Sequence, residues 1–354
     1  MKAVILESFG TPLVVEDRPE PTLGTGEVLV DVAAAKVLAY AGDVFSGKRQ
    51  YLITPPLIVG SGAIGRVAAV GHDAAELAVG DWVLCDPTVR ARDNAVSPAI
   101  VLQGLTAEPR SLGLQKYVPD GSWAQRTRVP TENAVRIGAI DTKDAPAWAT
   151  IGTYLVPYGG LDAIELKAGE IVVINGATGS FGSAGVAVAL AMGAACVIAT
   201  GRNRDVLDGL ARRFGPRVRV VAMSGDEQAD RARIQEAAPG PIDCVLDQLP
   251  PEASASQVRT ALLAVRPFGR VVLMGGVREE LALPYGWLMR NCVTVRGQFM
   301  YSRAAIGRLI ALVRAGVLAL DASQIVCFGL EQVNEAVTHA KEHAAPFQAT
   351  VLCP

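Results

Sequence analysis

The stretch Ile171-Val172-Val173-Ile174-Asn175-Gly176-Ala177-Thr178-Gly179-Ser180-Phe181-Gly182 joins an apolar run to a series of spaced glycines. A further apolar segment leads from it to Cys196-Val197-Ile198-Ala199-Thr200-Gly201-Arg202-Asn203-Arg204. A strand covered on both faces reads as such an unbroken apolar run. The glycines let the chain turn tightly, let the next helix sit close to the strand, and leave backbone N–H groups open to a pyrophosphate. The helix that starts there turns its positive end toward those phosphates. Gly176, Ala177, Thr178, Gly179, Ser180, Phe181 and Gly182 therefore read as a dinucleotide-binding loop of the A-x-G-x-x-G form. A glycine pattern alone is weak because tight turns are common; its place between a strand and a helix makes it specific.

The end of the second strand lies about twenty residues beyond the loop, where an NAD site places an acid on the ribose 2′-hydroxyl. Here the residues are Thr200, Gly201, Arg202, Asn203 and Arg204. No carboxylate repels a phosphate, and both arginines can form charge-assisted bonds to one, so the expected cofactor is NADPH. The plainer alternative is two solvated arginines capping a strand. Asp205 falls past the strand end and is expected to open the next helix.

Outward from this unit the rhythm is strand alternating with helix. Strands are expected at 171–174, 196–200, 218–221, 244–246, 271–274 and 293–298, a full doubly wound parallel sheet. Before it, short β-rich runs at 27–32, 66–70 and 81–84 are punctuated by Gly and Pro, the mark of an irregular, mainly antiparallel β domain. After it come an amphipathic helix at 303–314, a helix near 333–343, and strand-like runs at 325–328 and 349–352 that are expected to return to the first domain.

The chain has 354 residues, half of them hydrophobic, and a net charge of −2 from 33 basic and 35 acidic side chains. That length favours two domains, and the mixed charge offers no field for nucleic acid or an anionic membrane. A small-molecule substrate is the default partner. Residues 171–201 carry no charge, but their glycines break the run too early for a membrane span. The amino terminus lacks a secretory pattern, so a cytoplasmic location is expected. The six cysteines are scattered and contain no Cys-x-x-Cys pair, so they read as buried reduced thiols. His72 reads as a surface turn, and His339 and His343 as one solvent-facing helix face.

Together, these motifs resemble the medium-chain dehydrogenase/reductase superfamily. Gly60, Gly65, Val70-Gly71 and Val79-Gly80-Asp81 are similar to its amino-terminal glycine framework, and Asp120-Gly121-Ser122-Trp123-Ala124 to its segment returning to the β core. Asp243 to Asp247, Gly269-Arg270-Val271 and Gly275-Gly276 are similar to its later strands and turns. The resemblance implies an α/β fold: a GroES-like β-rich catalytic domain at 1–145 and 318–354, and a six-stranded Rossmann domain at 146–317. It also implies a cleft between them, Asp247 and Gly275 beside the cofactor, and a homodimer formed through the sixth-strand edges near residues 293–299.

In zinc alcohol dehydrogenases of this superfamily, metal ligands stand where this chain has Leu38, Ser61, Gly62 and a residue near Thr153, none of which can bind catalytic zinc. Residues 84–121 match the length of a structural-zinc lobe, yet hold only Cys85. The expected metal is therefore none. Without a Lewis acid, reduction of a quinone or an α,β-unsaturated carbonyl is easier than oxidation of an alcohol, because the enolate formed needs only hydrogen bonds and a proton. By the resemblance, Tyr40 lies where a proton-relay hydroxyl stands, Asp43 near the relay histidine, and Ser61 at a lost metal ligand. Each is a candidate catalytic residue, with a half-buried tyrosine, a solvated acid and a space-filling serine as the plainer alternatives. The expected activity is an NADPH-dependent, zinc-independent oxidoreductase; a metal-independent alcohol or carbonyl oxidoreductase and an NADPH-binding sensor without turnover are the alternatives. Loops at 45–57, 91–116 and 283–289 are expected to shape the substrate pocket.

Overall fold

A computed structural model describes residues 1–93, 96–320 and 324–354. Part of the expected 91–116 loop and of the 318–354 segment thus lies outside the described residues. The chain divides into two compact units, Met1–Gly152 with Leu320–Ala344 and Gln348–Pro354, and Thr153–Ala319 with Ala345–Phe347. The first unit runs past residue 145 because the helix Ala145–Trp148 packs on the strands Glu27–Val37, Ala63–Val70 and Ile325–Phe328.

In the second unit the strands Ile171–Asn175, Cys196–Gly201, Val218–Ala222, Cys244–Asp247, Arg270–Leu273 and Thr294–Gly297 form one six-stranded sheet. All neighbours are parallel. The first strand sits in the middle, between the second and the fourth, so the order reverses there, which is where doubly wound sheets bind ligands. Val172, Val173 and Ile174 have no exposed surface, as expected of a strand covered on both faces. The uncharged run resolves into strand, the helix Ser180–Ala191, and strand. Among the described residues no helix is long and apolar enough to cross a membrane.

The first unit is built on Glu27–Val37, an eleven-residue strand central to a seven-stranded sheet. Ala63–Val70 and Arg126–Pro130 pair with it antiparallel, and so does the carboxyl-terminal strand Ala349–Leu352, which makes the unit discontinuous. Val28, Val30, Val83, Trp123 and Leu352 lie in its core. The helix Val333–Glu342 closes one side through Val333, Ala336 and Ala340, spaced along one face. Residues 84–121 fold a small antiparallel sheet of their own, Thr88–Arg90, Ile100–Leu102 and Thr106–Ala107. Val89, Val101 and Val118 make its apolar centre, with Ala107 and Leu114 packed against them.

Two expectations are corrected. Cys85, Cys196 and Cys244 are buried, but Cys292 and Cys327 are exposed and Cys353 is half-buried. Cys327 lies on the outermost strand of the seven-stranded sheet, whose other face carries the inward Phe328. His339 does not simply face solvent: its ring stacks on His343 at 4.0 Å, and its Nδ1 lies 2.8 Å from Thr350 Oγ1. His72 is exposed in a turn, as expected.

Candidate active site

The dinucleotide loop is shaped by backbone contact. Gly176 has φ +84°, which side-chain-bearing residues rarely adopt, and a Cβ added at Gly182 would stand 2.1 Å from Gly176 O. The Ala177 N–H donates to Thr200 O at 2.8 Å, tying the loop to the second strand. Gly179 is the cap of the helix Ser180–Ala191, whose body is almost wholly buried. The positive end of that helix therefore opens at the loop, with Thr178, Ser180 and Phe181 part-exposed around it.

Beneath the loop runs a buried polar network. Thr200 Oγ1 donates to Asn175 Oδ1 at 2.9 Å, and Asn175 Nδ2 donates to Asp247 Oδ1 at 2.8 Å. Burial pushes the Asp247 carboxyl up to about 6, against the pull of hydrogen bonds from the Asn175 amide and the Leu249 backbone. Gly275 lies against it, since a Cβ there would stand 2.6 Å from Asp247 Oδ2. Asp247 thus holds the central strands in register from within, with only 2 % of its surface exposed.

At the end of the second strand the two arginines separate. Asn203 Oδ1 accepts from Val206 N–H at 3.2 Å and caps the helix Arg204–Phe214, which carries Asp205 in its first turn. Arg204 turns along this helix to Asp208, 3.0 Å away. Arg202 is exposed, and among the described residues no acid pairs with it.

In the first unit Tyr40 precedes the short helix Ala41–Phe45 and packs half-buried against the core. Burial holds its phenol well above the usual tyrosine range; Tyr51 adds to the rise and the Arg49 charge opposes it. Arg49 Cζ lies 4.1 Å over the Tyr40 ring and 4.8 Å over the Tyr51 ring, and the two rings meet edge to face at 6.2 Å. Asp43 is not beside these groups as a free acid: its carboxylate accepts from Lys341 Nζ at 3.1 Å. Ser61 is half-buried in the loop between the strands Leu57–Ile58 and Ala63–Val70. That loop is closed by the segment after Asp120, through Ser122 Oγ to Gly62 O at 2.7 Å and Gly121 N to Ile58 O at 2.7 Å. Leu38 packs on the apolar core, and Thr153 is buried. Arg49 and Tyr51 were not singled out from the sequence, where only their i, i+2 spacing after Gly47 links them.

Residues 24–139 match the family profile "Alcohol dehydrogenase GroES-like domain", and residues 181–315 match "Zinc-binding dehydrogenase". An alcohol dehydrogenase of Rhizobium meliloti (strain 1021) is 27% identical over 322 residues, covering 90% of each chain. Two solved structures superpose over the whole chain and 99% of their own: a dehydrogenase from Sinorhizobium meliloti 1021 bound to NADP, with TM-score 0.78 and 21% identity, and a short chain alcohol dehydrogenase from E. coli CFT073 complexed with NADH, with TM-score 0.79 and 18% identity. The chain belongs to the medium-chain dehydrogenase/reductase superfamily. It is an alcohol-dehydrogenase-like oxidoreductase that uses a nicotinamide cofactor. Among the described residues no three His, Cys, Asp or Glu side chains stand together as a metal site; at the positions where the resemblance puts catalytic zinc ligands, the chain has Leu38, Ser61, Gly62 and a residue near Thr153.

Proposed function

We propose that the protein is an NADPH-dependent, zinc-independent reductase of quinones or α,β-unsaturated carbonyl compounds. The observation that carries this reading is that Leu38, Ser61 and Gly62 stand where the resemblance puts three residues of the catalytic metal site, with the last ligand expected near Thr153, and that among the described residues no three His, Cys, Asp or Glu side chains stand together as a metal site. The bound nicotinamide supplies the hydride. The loop from Gly176 to Gly182 and the positive end of its helix hold the pyrophosphate, and Gly275 leaves room beside them. Arg202, exposed and without an acid partner among the described residues, binds the 2′-phosphate, with Arg204 as a second donor once released from Asp208; an exposed pair of that kind costs less than about 1 kcal/mol to open. Tyr40 donates a hydrogen bond and then a proton to the substrate oxygen, and its raised phenol keeps it protonated at neutral pH. Asp43, engaged by Lys341, stays outside the proton path.

NADPH consumption by chelator-treated enzyme against a panel of quinones and enones tests the reading; turnover confined to saturated alcohols or aldehydes contradicts it. A second reading, a metal-independent alcohol or carbonyl oxidoreductase, draws on the curated alcohol dehydrogenase to which the chain is similar. Oxidation of secondary alcohols with NADP⁺, insensitive to chelator, favours it. The protein is further proposed to act in the cytoplasm as a homodimer paired through the strand Thr294–Gly297, an exposed end of the six-stranded sheet. Sedimentation as a monomer at micromolar concentration contradicts the dimer.

A further inference from the structure

Arg49 is a cation that the chemistry above does not use. Its guanidinium lies over the rings of both Tyr40 and Tyr51, which meet edge to face with centroids 6.2 Å apart. The backbone pins the same turn, with Arg49 N–H donating to Asp43 O at 2.7 Å and Tyr51 N–H to Arg49 O at 2.8 Å. Among the described residues no carboxylate pairs with Arg49, and the acid nearest in its turn, Asp43, is engaged by Lys341.

Stacking uses the flat face of a guanidinium and leaves the N–H donors at its edge free. Two rings also fix the rotamer, so little ordering entropy remains to be lost when a ligand binds. A fork of fixed donors beside apolar rings matches a planar oxyanion, and a carboxylate most closely.

We propose that Arg49 recognises a carboxylate on the substrate, close to the oxygen that Tyr40 protonates. The inference rests on the reading of Tyr40 as proton donor. It narrows the substrate to an activated carbonyl compound that carries an acid group within a few bonds of the reacting carbon. Neutral analogues leave the Arg49 donors unpaired in a part-buried site, which is the situation in which sites discriminate strongly.

The test uses β-benzoylacrylate and its methyl ester, which share one enone and differ by one charge, with the full-length enzyme and NADPH. The wild type favours the acid in kcat/KM by roughly 10- to 100-fold, the range of a charge-assisted fork. In Arg49→Gln that ratio collapses, mainly through KM, and Arg49→Lys restores part of it because the charge remains while the fork is lost. A wild-type ratio at or below one, or a ratio unchanged in Arg49→Gln, overturns the proposal. If neither compound consumes NADPH, the reductase reading fails separately, and calorimetry of the NADP⁺-saturated enzyme decides the inference: binding of the acid and not of the ester supports it, and no binding of the acid overturns it. A loss confined to NADPH affinity in Arg49→Gln assigns the oxyanion to the cofactor and also overturns it.

Discussion

The dinucleotide loop and the Tyr40–Arg49–Tyr51 cluster are built in opposite ways. The loop is made of backbone: a positive φ at Gly176, a contact at Gly182 that excludes a Cβ, and a helix end, with side chains contributing mainly from beneath. The cluster is made of side chains, two rings and a guanidinium on a short turn, with the backbone only holding the turn closed. Backbone sites bind what every member of a fold shares, a pyrophosphate; side-chain sites decide what differs between members. Substitutions in the first region should therefore act on the cofactor whatever the substrate, and those in the second on the reaction or on substrate choice.

The largest effect is expected at Gly182. Gly182→Val drives atoms into Gly176 O and should abolish measurable NADPH binding, whereas Gly179→Ala, whose Cβ would meet only Gly176 O at 3.6 Å, should not. Fluorescence titration compares the two, and equal losses would mean that the tight turn is not what shapes the loop. Next is Tyr40→Phe, which should lower kcat by about 10²- to 10⁴-fold with NADPH affinity kept, as for loss of a general acid. A kcat within error of wild type would leave Tyr40 a packing residue. Arg202→Ala should weaken NADPH by about 10- to 100-fold, the worth of one charge-assisted phosphate contact, and leave NADH affinity where it was. Parallel loss of both cofactors would undo the 2′-phosphate assignment.

Smaller effects sharpen the comparison. The Asp247 carboxyl sits at about 6, above its unfolded value. It therefore contributes stability that is complete below about pH 4 and is lost as pH rises through about 6, some ~3 kcal/mol in all. Asp247→Asn should flatten the dependence of unfolding free energy on pH across that window, as denaturant titrations at several pH values would report. Smallest of all, Asp43→Asn should change kcat/KM by less than about fivefold, since its partner is an exposed lysine and such pairs contribute under ~1 kcal/mol. A fall as deep as that of Tyr40→Phe would bring Asp43 into the proton path.

The same contrast explains what was legible in the sequence. The six parallel strands declare themselves because burial on both faces leaves runs such as Ile171 to Ile174 without polar interruption, and glycine marks the turns between them. The cofactor loop is contiguous, so its signal is local. The Arg49 cluster is not, because its members meet only after the turn following Phe45 brings residues 49 and 51 back over Tyr40. The engagement of Asp43 by Lys341, nearly three hundred residues later in the chain, and of His339 by Thr350 depends on where a returning helix lands. The exposure of Cys327 depends on its strand being outermost in the sheet, a matter of strand order that composition does not encode. The apolar centre of residues 84–121 was likewise hidden, because Val89 and Val101 lie on separate short strands and Val118 at the end of a short helix.

The central claim is tested most directly by NADPH oxidation with chelator-stripped enzyme of measured zinc content, assayed against a quinone and a conjugated enone. Turnover that persists with zinc far below one atom per chain, and that exceeds turnover with NADH, is the predicted result. Activity that appears only on adding zinc, or that is confined to saturated alcohols with NAD⁺, would contradict it.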